Sequence, residues 1–105
     1  MNTYGDGKYK VWMKKELVGD DIVYLVGGGE RAHVGAAVVK EPGKRARVVR
    51  LGGHYDYMVL KPIAEAACEK HGRTVVAVGG VHVENASKEE IVLLVANCRE
   101  LVKCI

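Results

Sequence analysis

Apolar and polar residues alternate from Tyr9 to Leu17, with Tyr9, Val11 and Met13 on one side and Lys10, Trp12 and Lys14 on the other. A period of two predicts a half-buried strand, here placed at a sheet edge. Val18-Gly19-Asp20 reads as a turn. Ile22 to Val26 is apolar without alternation, the pattern of an inner strand covered on both faces. Gly27 to Arg31 reads as a loop, because three successive glycines offer no side chain to pack. Val34 to Lys40 is the next strand, Glu41-Pro42-Gly43-Lys44 a turn with Pro-Gly at its centre, and Arg45 to Leu51 a fourth strand. Short connections between these four strands predict an antiparallel meander.

The period changes after Gly52-Gly53. Leu60, Ile63, Ala64, Ala67, Cys68 and His71 fall on one helical stripe. Pro62 fits either the first turn of a helix starting near Lys61 or a kink in a longer one starting near Tyr55. Gly72 is placed to cap its C-terminus. Thr74 to Val78 is a short β-branched run, again a buried strand. Ser87 and Glu90 have the spacing of a capping box. They open a last helix from about Lys88 to Val102, with Ile91, Leu94, Val95, Cys98, Leu101 and Val102 on its main stripe. The expected order is β-β-β-β-α-β-α. It describes a two-layer α/β (α+β) domain over residues 1–105, with a mostly antiparallel sheet and two helices.

Two helices cannot cover both faces of such a sheet. Val23, Leu25, Ala37, Val39 and Val49 lie opposite the residues that two helices would bury, and apolar surface of that extent usually marks an interface. A homo-oligomer or an obligate protein partner is expected. The net charge of +3 over 105 residues, with no aromatic residues among Lys44, Arg45, Arg47 and Arg50, argues against nucleic acid. No apolar run approaches a membrane span, and Met1 to Gly7 lacks the apolar core of a secretory leader. Cys68, Cys98 and Cys104 are odd in number and not closely paired, so a reducing cytoplasm is expected. Gln is absent and Lys and Glu dominate the polar residues, which suggests a thermophile.

Three polar clusters accompany glycines. In Gly27-Gly28-Gly29-Glu30-Arg31-Ala32-His33, Gly28 and Gly29 suit a backbone nest for an anion, with Arg31 and His33 at its mouth; a plain hairpin loop is the alternative. In Gly52-Gly53-His54-Tyr55-Asp56-Tyr57, Gly53 and His54 precede a helix N-terminus, which attracts anions, while Asp56 by itself reads as a helix cap. In the third, His82 and Glu84 stand at i, i+2 on one side of a strand end, beside Asn85. With His33 or His54 they would make a two-His, one-carboxylate metal site, the basis for a small metal-dependent enzyme; a polar strand end is the alternative. No nucleophile stands in a recognisable catalytic setting, and Cys68 and Cys98 read as core thiols.

The blocks Ala32-His33-Val34-Gly35-Ala36, Gly53-His54-Tyr55-Asp56 with Lys61-Pro62, and Gly80 to Ile91 (GVHVENASKEEI) resemble the prenylated-flavin chaperone LpdD-like family. Its members are associated with the D subunit of gallate and hydroxyarylic acid decarboxylases. The family is similar in turn to the proteasome-assembly chaperone fold. The resemblance implies a non-catalytic protein that handles prenylated FMN, or FMN, for a UbiD-type decarboxylase partner. A protein-assembly chaperone without cofactor is the alternative. By motif position it implies His33, His54, His82, Glu84 and Asn85 as site residues. Trp12, Tyr55 and Tyr57 are aromatic residues that could either stack on an isoalloxazine ring or pack at an edge or interface.

Overall fold

A computed structural model of the chain describes residues 1–52 and 55–105. The site candidates Gly53 and His54 lie outside the described residues. The elements are β1 (Asn2–Tyr4), a short 3-10 helix (Gly7–Tyr9), β2 (Val11–Val18), β3 (Asp21–Gly29), β4 (Ala36–Lys40), β5 (Arg47–Arg50), α1 (Tyr57–His71), β6 (Val75–His82) and α2 (Lys88–Val102). The expected order is present, preceded by β1 and the 3-10 helix, which the hydrophobic pattern does not reveal because Asn2 to Tyr4 is exposed throughout.

The sheet order is β1-β2-β3-β6-β4-β5. The expected meander is therefore wrong at one place: β6 lies between β3 and β4. It runs parallel to β3 and antiparallel to β4. This explains why Ile22 to Val26 and Val75 to Val78 read as inner strands, since each has neighbours on both sides. The reading of Gly27 to Gly29 as loop is also corrected, because β3 continues through them. Gly28 (φ 147°) lies against the Lys10 carbonyl and Gly29 (φ 76°) against the His82 backbone, so a Cβ at either would collide with a neighbouring strand. Gly28 and Gly29 let backbones approach, and Gly27 leaves room for the Trp12 ring and the Ala32 methyl group.

Both helices cover one face of the sheet. Val11, Met13, Ile22, Tyr24, Val26, Ala36, Val38, Val75 and Ala77 form the core with Leu60, Ile63, Ala64 and Ala67 of α1 and Leu94, Cys98 and Leu101 of α2. The α1 stripe is the expected one except for His71, which is exposed. The longer start holds for this helix, so Pro62 sits inside it and Gly72 caps it in the left-handed conformation at φ 64°. The α2 stripe is rotated from expectation. Asn97 is buried and donates from Nδ2 to the Tyr9 carbonyl at 2.9 Å, whereas Ile91 is 51% exposed. The capping box forms as expected: Glu90 N–H donates to Ser87 Oγ at 3.1 Å and Ser87 N–H to Glu90 Oε1 at 3.0 Å.

The other face carries two cross-strand rows. One reads Glu16, Val23, Val76, Val39, Arg47 and the other Lys14, Leu25, Val78, Ala37, Val49. Their apolar members are half-buried or exposed, so the second apolar face anticipated from the sequence exists.

Candidate functional site

The polar clusters converge at the carboxyl end of β6. The segment after β3 folds back onto it: Glu30 and Arg31 N–H groups donate to the His82 carbonyl at 2.7 and 3.2 Å, and Gly35 N–H to the Gly79 carbonyl at 2.9 Å. The Gly29 N–H donates to the Lys10 carbonyl at 3.0 Å. The backbone donors of Gly29, Glu30 and Arg31 are thus spent on tying this segment down. That docking is what carries Arg31 and His33 to the end of β6.

Asp56 is the buried carboxylate of the cluster, 8% exposed. It stands at the N-cap position of α1 without capping it, which corrects its reading as a cap. Instead Oδ1 accepts the Val81 N–H at 3.0 Å, and Oδ2 lies 3.4 Å from His33 Nε2. Two glycines make the space. A Cβ on Gly35 would overlap Asp56 Oδ2, and one on Gly80 would come within 2.8 Å of Asp56 Cγ and 3.0 Å of His33 Nε2. Asp56 therefore locks the start of α1 to the end of β6, a link between elements 25 residues apart in sequence.

His33 and His82 meet edge to face, with ring centroids 6.0 Å apart. His82 Nε2 lies 3.1 Å from Glu84 Oε2, and Glu84 N–H donates to Glu30 Oε1 at 2.9 Å. The structure thus joins His33, His82 and Glu84, from two of the three predicted clusters, and adds Asp56 from the other. Among the described residues, no group of three or more His, Cys, Asp or Glu side chains is placed to hold a metal ion.

Beside this cluster a cavity of about 440 Å³ opens between the N-terminal ends of α1 and α2. His82, Asn85 and Asp56 supply its polar groups, and Val59, Val81, Leu94 and Val95 much of its apolar wall. Tyr55, Met58 and Ile91 stand at its rim, each more than half exposed. Asn85 holds φ 51°, which turns the chain from β6 into α2. The Arg50 guanidinium lies 4.1 Å from the centroid of the Tyr55 ring. Tyr57 packs against the core, and Trp12 covers Gly27, so of the three aromatic candidates only Tyr55 faces the cavity. Sequence reasoning missed Met58 and Ile91 as cavity residues, since each falls within a helical apolar pattern. The signal for Asp56 was present in Gly35 and Gly80, whose missing side chains leave room for it.

A family profile described as prenylated flavin chaperone LpdD-like domain matches residues 5–105. No curated protein matches the chain. Among solved structures, one titled "Crystal Structure of a Novel Chaperone Complex for Yeast 20S Proteasome Assembly" is similar, with a TM-score of 0.58 at 12% identity. The similarity covers 98% of this chain and 92% of the yeast one. At that identity the likeness establishes the fold.

Proposed function

The chain belongs to the prenylated flavin chaperone LpdD-like family, and on that basis we propose that it holds prenylated FMN for a UbiD-type decarboxylase partner without transforming it. The cavity at the end of β6 carries this reading. Its volume is in the range of small-ligand sites, and its walls are apolar with few polar groups, the usual makeup of a cofactor pocket. It also lies outside the carboxyl end of a strand, where α/β sheets commonly receive ligands.

In this reading Tyr55 and the apolar wall would hold the isoalloxazine ring, and His82 and Asn85 would serve its polar groups. Arg31 and His33 would supply the basic side chains for the phosphate, with Glu84 orienting His82, while Gly28 and Gly29 hold this segment against Lys10 and His82 and do not form the expected nest. Gly53 and His54 remain site candidates on their sequence motif alone. The bound flavin would supply the decarboxylation chemistry in the partner; here the residues only bind and shield it. Exposed Tyr55, Met58 and Ile91 form an apolar rim suited to a receiving protein. We place the protein in the cytoplasm as a homo-oligomer.

Flavin fluorescence titration with FMN and with prenylated FMN tests this reading. Saturable binding is expected, weakened about tenfold or more in His82→Ala, the loss of about 1.4 kcal/mol that one hydrogen bond to a charged or polar ligand group supplies. Absence of binding to either flavin rejects it. The second reading, an assembly chaperone without cofactor, is favoured by the uncovered apolar face of the sheet and would then stand.

A further inference from the structure

The residues on the uncovered face are ordered in a way that specifies their occupant. Across the sheet, one row runs from an acid on β2 through three valines to a base on β5: Glu16, Val23, Val76, Val39, Arg47. Val76, on the central strand, is the midpoint. A sequence of this kind complements its own reverse.

We propose that a second copy of this chain packs face to face on this surface, about a two-fold axis that runs along β6. Rotation by 180° about that axis reverses the row. Glu16 then lies over Arg47 of the second copy, Val23 over its Val39, and Val76 over its own counterpart. The neighbouring row brings Leu25, Val78 and Ala37 into the same layer. The two sheets form a sandwich about 10 Å thick, the spacing at which inner-face side chains interdigitate. Burying the valines supplies the driving force, and the two crossed acid–base pairs fix the direction of the copy. An unrelated apolar partner would have no use for opposite charges at opposite ends of the row.

Glu16 and Arg47 also have neighbours within their own chain. Lys14 Nζ lies 3.2 Å from Glu16 Oε1, and Arg47 pairs with Glu41. All four side chains are at the surface, so these pairs hold the charges in place at little cost to a further partner.

The proposal rests on the self-association stated above and adds the face, the axis and the pairs. Sedimentation velocity of the full chain tests it. The wild type is expected to be a dimer. Val76→Lys, which sets two like charges against each other on the axis, is expected to sediment as a monomer with unchanged circular dichroism. Glu16→Arg is expected to weaken the dimer at least tenfold, and Glu16→Arg with Arg47→Glu to restore it. The restored pair can act only between copies, because Lys14 and Glu41 are left beside like charges. A monomeric wild type overturns both this proposal and self-association. A dimer that ignores Val76→Lys, or that the double exchange does not restore, overturns the face and axis alone. Flavin titration of the same variants reads the cofactor proposal separately.

Discussion

The Asp56 carboxylate accepts the Val81 N–H at 3.0 Å, fastening the first turn of α1 to the last residues of β6. A buried N–H left without an acceptor is costly. Asp56→Ala is therefore expected to lose about 1–3 kcal/mol of stability. For a chain of this size, that is a fall in melting temperature of roughly 4–8 °C per kcal/mol. Asp56→Asn keeps an acceptor oxygen and should lose less. Thermal melts of the three proteins followed by circular dichroism check the order; equal melting temperatures for Ala and wild type would remove the lock.

Gly35 exists to admit that carboxylate. A methyl group there overlaps Asp56 Oδ2 and comes within 2.9 Å of the His33 ring. Gly35→Ala is expected to destabilise by about 1–3 kcal/mol, the usual cost of overpacking. In the double variant with Asp56→Ala the overlap is gone, so the two losses should fall short of additive by at least about 0.5 kcal/mol. Denaturant unfolding of the four proteins measures the coupling. Simple additivity would mean that the two residues do not compete for space.

Glu90 predicts a dependence on acid. The Ser87 N–H bond, the Tyr9 hydroxyl at 2.7 Å and Lys8 at 3.1 Å hold its carboxyl down to about 2, below the ordinary 4.5. A lowered pKa stabilises the fold at pH above the ordinary value, and that contribution disappears as pH falls from about 4.5 to about 2. Glu90→Gln should melt lower than wild type at pH 7 and lose less over that acidic window. Parallel melting curves from pH 5 to 2 would show that the lowered pKa is not coupled to folding.

Asn85 separates backbone from binding. Its φ of 51° suits glycine and disfavours alanine. Asn85→Gly should melt at or near the wild-type temperature, and Asn85→Ala should lose about 1 kcal/mol. The glycine variant nevertheless lacks the amide that lines the cavity. Its flavin titration is expected to show weaker binding in an intact fold, and unchanged affinity would remove Asn85 from the site.

Periodicity made most elements legible. The capping box at Ser87 and Glu90 and the αL cap at Gly72 are local devices, fixed by residues three or four positions apart, and both are found as read. The stripe Leu60, Ile63, Ala64, Ala67 is local in the same sense. Strand order is different. The position of β6 between β3 and β4 depends on pairings such as Val23 with Val76, which no short-range pattern encodes. The glycines of β3 misled for a related reason: their role is set by Lys10 and His82, distant in sequence. In the candidate site, His82 and Glu84 were legible as an i, i+2 pair, and His33 joined them as one of two candidate histidines for a metal site and then through family resemblance. Asp56 was read locally as a cap, and its true partners, Val81 and His33, lie 25 and 23 positions away.

The central place of β6 bears on how the chain reaches its native state. The β2–β3 and β4–β5 pairs are short-range hairpins and can form early, within microseconds. Their inner edges, β3 and β4, are then bare until a strand some fifty residues downstream of β3 arrives and pairs with both. The half-built sheet has a gap where the native one has its middle, flanked by two apolar edges open to other chains. Closing that gap is the expected slow step, and dilution during refolding is expected to decide between the finished sheet and aggregates.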